Sequence, residues 1–295
     1  MKKITLIALM LFTALGYAQG IELNGTISAE DNQIKNLQDP TEAQDAVTKA
    51  YIDALIAEAV AGLQSQIDDL DTSSGSITDQ DGNTYDYLTY GDQVWTVENA
   101  EMVTYRDGTP IPQETDPTQW ESLTTGAWCY YDNDSTKPKL YNWYAVVGIH
   151  DADSSSDPSL RKEFAPEGWH VPSDAEWTTL EEHLIANSYN YDGTTTGNKI
   201  AKSMASTTVW NSSTDTGAIG NDQSLNNSSG FNVFPEGYRI NIGSFGNEGY
   251  YAVFWSSAET NANSAWSRSL NYDYSNLDRN YYYKQNGFSV RFVRD

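Results

Sequence analysis

Cysteine is nearly absent from this chain: among 295 residues there is only Cys129. No disulfide bond can therefore form within the chain, and an apolar core has to stabilise its fold. A lone cysteine could also be a nucleophile, but Cys129 lies between Trp128 and Tyr130 in the run GAWCYY. We therefore interpret it as a small buried residue, as free cysteines commonly are.

Positive charge is also scarce, because 17 Lys and Arg residues are outnumbered by 41 Asp and Glu residues, which gives a formal net charge of −24. A surface of this sign repels nucleic-acid phosphate and anionic membrane surfaces, so we expect neither as a partner. Long hydrophobic runs are missing as well. The apolar run at residues 4–16 is too short to span a bilayer, and we predict no membrane span.

That short apolar run has the form of a secretory signal peptide. It follows the basic start Met1-Lys2-Lys3, and small residues lead to an expected cleavage position near Ala18. No cysteine directly follows the run, which argues against a lipoprotein anchor. The sequence therefore predicts a signal peptide over residues 1–19. It also predicts a protein that is secreted or held at the cell surface of a Gram-negative bacterium.

Catalytic and metal-binding motifs are lacking too. The sequence has no H-E-x-x-H, G-x-S-x-G, P-loop or G-x-G-x-x-G pattern. Its histidines, His150, His170 and His183, are widely spaced, and we interpret His170 as structural and His183 as solvated. We therefore predict no catalytic residue, no metal site, no cofactor and no enzymatic activity. A glycosidase pair of carboxylates stays open, because no spacing singles one out.

Calcium is the one cofactor that stays open as an alternative. The runs Asp132-Asn133-Asp134 and Asp151-x-Asp153 offer the hard oxygen ligands that calcium prefers. Neither run has the spacing of a known calcium loop, and acid-rich turns are usually just solvated. The expectation therefore remains that no cofactor is bound.

Aromatic residues divide the chain into two parts. Residues 20–75 contain no Trp and one Tyr, although the whole chain has 9 Trp and 20 Tyr. In this first part apolar residues recur three or four positions apart, as along one face of a helix: Ile52, Ile56, Ala59, Leu63, Ile67 and Leu70. A lone helix of this kind is marginal, so the pattern predicts a helical stalk that forms a homotrimer through residues 40–70. The alternative is a helix packed on the following domain.

The second part, residues 79–295, has the pattern of an α+β domain that follows a polar linker over residues 72–79. The segment DGNTYDYLTYGDQVWTVEN predicts a hairpin. Ser173-x-x-Glu176 is a capping box that begins an amphipathic helix of about 14 residues. Strand-like runs follow a second short helix, NKIAKSM. The last of them, GFSVRFV, alternates and predicts a strand with one core-facing side.

Several strings of this second part have counterparts, in the same order, in a known family: YRDGTPIP, LTTGAWCYYDND, LYNWYAV, GWHVPSDAEWTTLE, SGFNVFPEGYR, FWSSAE and GFSVRFVRD. On these strings residues 79–295 resemble the Fibrobacter succinogenes major paralogous domain, a family of exported bacterial domains. The resemblance implies a C-type-lectin-like fold with few helices and a twisted antiparallel sheet, of the variety shared with formylglycine-generating enzymes. Similarly, IKNLQDPTEAQDAVTKAYIDA resembles the stalk repeat of phage tail fibres.

Two departures limit what the resemblance implies. The family often has a cysteine just before the Pro that precedes its GWHVP motif, where this chain has Phe164-Ala165-Pro166, so a disulfide from Cys129 to that place cannot form. Formylglycine-generating enzymes use a pair of cysteines in their C-terminal half, and no cysteine follows Cys129. That oxidation chemistry is therefore excluded.

The stretch before the closing strand is rich in Tyr, Asn, Ser and Asp, and in C-type-lectin-like folds this part carries the ligand face. Tyr and Trp offer rings for stacking, while Asn and Asp offer directional hydrogen bonds. The predicted ligand-binding residues are Trp266, Arg268, Asn271, Asp273, Asn276, Asp278, Asn280, Tyr281 and Tyr283. The alternative for any one tyrosine is an ordinary strand position. Residues 261–286 also resemble the variable regions targeted by diversity-generating retroelements, which we keep as a hypothesis.

Together these features favour an exported binding or adhesion protein with a ligand face for a glycan or a protein. Two other classes remain open. One is a structural surface or fibre component whose tyrosines contact its own kind. The other is a glycan-active enzyme whose site the sequence does not identify.

Overall fold

A computed structural model describes residues 49–295 and, within them, the side chains of residues 51–64 and 74–295. The predicted signal peptide, residues 1–19, lies outside the described residues. Residues 20–48 of the predicted stalk lie outside them as well. Predictions on those segments therefore remain predictions.

Helix α1 spans Lys49–Ser73. On it, Ile52 and Ile56 of the predicted apolar face (the seam through which the trimer would form) are exposed, and Ala59 and Leu63 are half-buried in the single chain. No described helix is both long enough and apolar enough to cross a membrane. The trimer stays a prediction. Two further seam side chains lie outside the described ones: Ile67 and Leu70.

The rest of the described chain is a mixed structure with few helices. Short helices follow α1: α2 (Pro117–Glu121), α3 (Trp143–Val146), α4 (Ala152–Ser156), α5 (Asp174–Ala186) and α6 (Ala201–Met204). Single 3-10 turns are found at Tyr131–Asn133, Pro158–Leu160 and Gln223–Leu225. The strands are β1 (Ser74–Thr78), β2 (Thr84–Tyr90), β3 (Gln93–Thr96), β4 (Trp128–Tyr130), β5 (Lys139–Tyr141), β6 (Trp169–His170), β7 (Glu236–Arg239), β8 (Phe245–Glu248), β9 (Tyr251–Asn261), β10 (Ser264–Asn271), β11 (Asp278–Tyr283) and β12 (Val293–Arg294).

In the described chain the strands form two five-stranded sheets and a two-stranded one. The first sheet has the order β1-β2-β3-β12-β6, the second β11-β10-β9-β7-β8, and the small sheet pairs β4 with β5. The pairings are antiparallel except for a parallel contact between β7 and β9. The prediction of an α+β domain with few helices is confirmed, but two main sheets are present where the sequence predicted one.

Helix α5 begins at the predicted capping box. The Ser173 hydroxyl accepts a hydrogen bond from the Glu176 N–H, and the Glu176 carboxylate accepts one from the Ser173 N–H. One face of the helix is buried through Trp177, whose ring centroid lies 4.7 Å from that of Trp95 in β3 and 5.6 Å from that of Phe254 in β9. The helix therefore packs against both main sheets, and its first residues lie beside β10.

The C-terminal segment departs from the predicted one-sided strand. The apolar residues of GFSVRFV are buried as predicted, but Ser289 and Arg291 between them are buried too. The segment passes between the two main sheets: the Ser289 carbonyl accepts from the Trp255 N–H in β9, and the Phe292 carbonyl accepts from the Thr96 N–H in β3. Both sides of the segment therefore contact other parts of the protein. Only its end, in β12, forms a regular strand.

The buried polar residues of this segment form a network. The Arg291 Nε donates to the Asn99 Oδ1 (2.5 Å), and the Asn99 Nδ2 donates to the Glu236 Oε2 (2.5 Å). The Ser289 hydroxyl donates to the same carboxylate oxygen (3.0 Å). Burial raises the pKa of Glu236 to about 7, although these two hydrogen bonds and the charge of Arg291 oppose the shift. The network therefore holds a carboxyl that titrates near neutral pH.

The polar segment predicted as a linker, residues 72–79, instead contains β1. This strand pairs with β2, and the predicted Asp81–Gly82 turn joins the two. Asp79 fixes the turn, because its carboxylate accepts from the Asp81 N–H (2.9 Å) and from the Tyr85 hydroxyl (2.6 Å). A buried carboxylate acceptor thus orders a segment whose Ser and Gly content suggested a linker.

Cys129 is buried in β4, as predicted. Burial raises the pKa of its thiol to about 12. The thiolate is the reactive form of cysteine, so this residue is unreactive at neutral pH and serves as a packing residue.

Lys202 holds the irregular segment between α6 and β7. Its ammonium group donates to the Asp222 carbonyl (2.9 Å) and to the Asn226 Oδ1 (2.9 Å). It also donates to the carbonyls of Ala218 and Asn221. Desolvation lowers the pKa of this lysine. The buried ammonium group of Lys202 therefore binds several oxygen atoms of this segment, which contains little regular secondary structure.

Candidate ligand-binding face

The predicted ligand-binding residues lie on β10, on β11 and in the loop between them. The two strands pair antiparallel in an unbroken register of six residue pairs, and β11 is the outermost strand of its sheet. The connecting loop is anchored at Leu277, whose N–H donates to the Asn198 Oδ1 (2.9 Å) and whose carbonyl accepts from the Asn198 Nδ2 (2.8 Å). This hairpin therefore has a fixed position on the domain.

Side chains alternate along a strand, so one face of β11 carries Arg279, Tyr281 and Tyr283. Trp266 of β10 lies opposite Tyr281 in the register and belongs to the same face. We call these four residues the tyrosine face. Tyr281 is 61% exposed and Tyr283 is 56% exposed. The Tyr281 ring packs edge-on against Trp266, with the centroids 5.9 Å apart.

Arg279 joins this face to helix α5. Its guanidinium carbon lies 3.4 Å from the centroid of the Trp266 ring, a cation–π stack. The same guanidinium donates from Nε to the Asp174 Oδ1 (3.0 Å) and from Nη2 to the Asp174 Oδ2 (2.8 Å). Two-point pairing of this kind fixes orientation as well as distance. Arg279 therefore covers one side of Trp266 and leaves the tyrosine rings as the exposed rings of the face.

Asp174, the first residue of α5, is shared by two arginines. Besides Arg279 it binds Arg268, whose Nη1 donates to the Asp174 Oδ1 (2.6 Å) and whose Nη2 donates to the Thr178 hydroxyl (3.0 Å). Burial by itself would raise the pKa of Asp174, but the hydrogen bonds from both arginines lower it. The hydrogen bond to Asp174 in turn raises the pKa of Arg279. Asp174 and Arg279 are therefore both charged at neutral pH.

Two of the predicted ligand residues lie beneath the surface and need correction. Arg268 is fully buried, and Asn271 is 5% exposed. The Asn271 Nδ2 donates to the Tyr251 hydroxyl (2.8 Å), so its amide is engaged within the domain. Arg268 and Asn271 therefore support the face from beneath. Their partners, Asp174 and Tyr251, are half-buried and lie 94 and 20 residues away in sequence, which composition alone did not reveal.

The other predicted residues lie at the surface, and some of them form hydrogen bonds with each other or with neighbouring residues. Asp273 is half-buried and accepts from the Ser213 hydroxyl, and the Asn276 Nδ2 donates to the Asp278 Oδ1 (2.6 Å). Asn280 is exposed on the opposite face of β11 from Tyr281. The structure thus brings Trp266, Tyr281 and Tyr283 together, while the polar residues follow the loop and the reverse face.

Sequence reasoning missed a second aromatic group, on the reverse face of β11. Tyr282 lies 5.3 Å from Phe288 between ring centroids, and Tyr238 lies 5.9 Å from Phe288 and 6.2 Å from Tyr251. Three consecutive tyrosines in a strand must occupy both faces, and that signal could have identified Tyr282. The role of Asp174 had no comparable sequence signal.

The histidine that was interpreted as structural links three elements. His170 in β6 has Nδ1 at 2.7 Å from a carboxylate oxygen of Asp295 and Nε2 at 2.7 Å from one of Glu176. The hydrogen bond to Glu176 and that to Asp295 raise the pKa of His170, against desolvation. Hydrogen bonds from His170 and Ser173 lower the pKa of Glu176 to about 2, although burial opposes this. The arrangement joins β6, β12 and the start of α5.

The acid-rich turns considered for calcium are occupied by their own backbone. The Asp134 carboxylate accepts from the N–H and the hydroxyl of Thr136, and Asp151 accepts from those of Ser154 at the start of α4. These hydrogen bonds lower the pKa of both aspartates. Across the described residues, no group of three or more His, Cys, Asp or Glu side chains converges as a metal site would require.

A separate groove of about 510 Å³ lies along β1 and β2, and none of its lining residues belongs to the tyrosine face. Residues of both strands line it, among them Gly75, Asp86 and Tyr87, together with Gly230. It is open to solvent and contains no histidine or paired carboxylates. The tyrosine face, in contrast, presents exposed rings on a strand whose position is fixed by charged contacts, so we take that face as the candidate site.

Comparison with known proteins identifies one family. The model of the Fibrobacter succinogenes major domain matches residues 88–294, which runs from the end of β2 to β12 and includes the whole of the second sheet. No curated protein and no solved structure matches the chain significantly. The match agrees with the resemblance drawn from the sequence strings, and it extends across the candidate site.

Proposed function

We propose a binding function for this chain, which belongs to the Fibrobacter succinogenes major domain family. In this proposal the protein is exported and binds a glycan or a protein ligand on its tyrosine face. The family match does not name a ligand, so the argument depends on the geometry of that face.

The observation that carries the proposal is the exposure of Tyr281 and Tyr283 on a strand that is held in place by charge pairs. A stable domain rarely exposes neighbouring large rings without a use for them. Here the rings project from the strand that carries Arg279, and Arg279 is paired with Asp174 and stacks on Trp266. Such a face loses little conformational entropy when a ligand binds, and that favours affinity.

The chemistry of the face favours a neutral or basic ligand. The two exposed rings are two positions apart on one strand, about 7 Å along it. Rings with this spacing suit stacking against the apolar side of successive sugar rings, or against apolar and cationic side chains. An acidic ligand is disfavoured, because the protein carries a net charge of −24 and Arg279 is already paired with Asp174.

Export, trimerisation and a C-type-lectin-like fold complete the proposal. A signal peptide over residues 1–19 would direct the chain out of the cell, and a trimeric stalk through residues 40–70 would present three faces together. Three linked sites give avidity even where each binds weakly. Light scattering on the mature chain at low protein concentration is expected to give three protomers, and a clean monomer would refute the stalk assignment.

We also propose that binding requires no cofactor and that the protein is not an enzyme. Calcium is the alternative to test, at the turns of Asp132 to Asp134 and of Asp151 and Asp153. Titration of the chelated protein with calcium is expected to give no heat and no shift in melting temperature. A stoichiometric heat signal would overturn the cofactor part of the proposal and leave the ligand face in place.

A glycan and surface-protein array probed with the whole chain tests the binding function. We expect Tyr281→Ala combined with Tyr283→Ala to weaken binding at least about tenfold, because exposed aromatic anchors dominate binding energies. Tyr250→Ala is the matched control, since Tyr250 is an exposed tyrosine outside the hairpin. Equal binding by the double variant and the control would move the site elsewhere.

A further inference from the structure

The outer edge of β11 has few of the features that usually protect an edge strand. Proteins commonly protect such edges with proline, charged side chains, a bulge or a very short strand. Strand β11 has six residues, DRNYYY, with no proline, and its register with β10 is unbroken. Its charged residues are the first two, and Arg279 is paired with Asp174. Five of its six residues are exposed, and no described strand pairs on its outer side. This edge is therefore open to strand addition.

The pairing with β10 shows which backbone groups point outward. The Lys284 N–H donates to the Asn263 carbonyl, and the Ser267 hydroxyl donates to the Asn280 carbonyl, which therefore points toward β10. Inward and outward backbone groups alternate along an antiparallel strand. The outward groups are therefore those of three alternate residues, the same residues that carry the side chains of the tyrosine face: Arg279, Tyr281 and Tyr283.

We propose that β11 pairs antiparallel with β11 of a second copy of this chain, about a two-fold axis at Tyr281. In this arrangement Tyr281 lies opposite Tyr281 of the second copy, and Arg279 lies opposite Tyr283 of the second copy. The two second sheets become one continuous sheet. Because antiparallel neighbours share their faces, both tyrosine faces lie on the same side and form one longer surface.

The order of residues in the strand favours this register over its neighbours. Centring the axis at Tyr281 pairs all three outward residues and sets each Arg279 against a tyrosine ring, where a cation–π contact is favourable. Centring it at Arg279 would set like charges opposite each other, which is destabilising. Sliding one strand by a single residue would set outward-pointing backbone groups opposite inward-pointing ones and form no ladder. The strand is therefore self-complementary about Tyr281.

The net charge of the chain opposes this contact and predicts its salt dependence. Two copies of charge −24 repel each other at long range, and about 0.15 M salt reduces the screening length to about 8 Å. At the edge itself Arg279 is balanced by Asp174. Self-association is therefore expected to strengthen as salt is added. A contact held by ion pairs between copies would weaken instead.

Cysteine cross-linking tests the register directly, because Cys129 is buried and leaves an engineered thiol as the accessible one. In Tyr281→Cys the two thiols face each other across the axis, with Cα atoms about 5.5 Å apart, close enough for a disulfide or a short bis-maleimide link. In Tyr283→Cys they lie four residues apart, about 13 Å along the strand. We expect efficient cross-linking of the first variant alone. Equal cross-linking of both variants, or of neither, would overturn the register.

A second measurement isolates the backbone contact. Tyr281→Ala removes only the ring, whereas Tyr281→Pro also removes the outward N–H and leaves the ladder to β10 intact. Light scattering of the full chain over a concentration series is expected to show association at least about tenfold weaker for the proline variant than for the alanine variant. Equal association of the two would overturn strand pairing. Array binding by these variants reports separately on the proposed ligand function.

Discussion

Replacing Glu236 with Gln is expected to stabilise the protein at alkaline pH. Glu236 accepts hydrogen bonds from Asn99 and Ser289 at its Oε2, and Gln keeps an acceptor oxygen for both. The substitution therefore removes the free-energy cost of ionising a carboxyl group that the protein surrounds. The pKa of Glu236 is raised from 4.5 to about 7, so the charged form is the disfavoured one in the folded state.

The sign and size follow from that difference. Below pH 4.5 the carboxyl is protonated in both the folded and the unfolded chain, and ionisation costs nothing. As the pH rises toward 7 the unfolded chain ionises first, and the folded state loses stability. A pKa shift of this size lowers the free energy of unfolding by about 3 kcal/mol above pH 7. Partial hydration of the half-buried side chain reduces this loss toward about 2 kcal/mol. For a domain of this size that is about 4–12 °C in melting temperature.

Thermal melts of the wild type and of Glu236→Gln, taken from about pH 4 to pH 8, measure the effect. The two curves should nearly coincide at the acid end and separate as the pH rises, with the variant more stable. Glu167→Gln is the control, because Glu167 is exposed and lies outside the Glu236 network, and this variant should not become more stable than the wild type as the pH rises. This reasoning would be refuted if Glu236→Gln were less stable than the wild type at pH 8. It would also be refuted if the melting temperature changed equally at both ends of the pH range.

Three further variants probe the other charged contacts. Asp174→Ala leaves the buried Arg268 without its carboxylate, and urea unfolding should show a loss of about 3 kcal/mol, whereas Asp174→Asn should cost clearly less. His170→Gln should destabilise most between pH 4.5 and 6.5, where both His170 and Glu176 are charged, and less as the pH rises through the elevated pKa of His170; a deficit that does not vary with pH would contradict this. Lys202→Met leaves several carbonyl oxygens without a donor, and hydrogen exchange should show lost protection over residues 218–226 at a cost of about 3 kcal/mol; unchanged protection there would show that the segment is held by other contacts.

The features that sequence predicted well are those with a local cause. The capping box at Ser173 and Glu176 acts over one helical turn, so its residue types identify it directly. The burial of Cys129 between two aromatic residues, and the strand positions of the tyrosines, likewise depend on near neighbours. In each case the contacts that decide the structure lie within a few residues of the pattern that predicts it.

The features that sequence missed depend on distant contacts. Ser289 and Arg291 look like the solvent side of an alternating strand, but a second sheet covers that side, and alternation carries no information about what lies opposite. Arg268 looks like an exposed ligand group, but its carboxylate partner, Asp174, is 94 residues away in sequence. The polar segment before β2 became a strand because Asp79 orders the turn that follows it.

The two strands of the β10–β11 hairpin differ in burial, and they should therefore differ in how well they tolerate substitution. Most side chains of β10 are packed into the domain, so a substitution there disturbs the core. Five successive side chains of β11 are exposed, and β10 is the single described strand with which its backbone pairs. Strand β11 can therefore diverge rapidly while the fold persists. Among related chains, or under a diversifying mechanism acting on residues 261–286, accepted changes should concentrate at residues 280–283 and avoid Arg279, which is paired with Asp174, and residues 264–271.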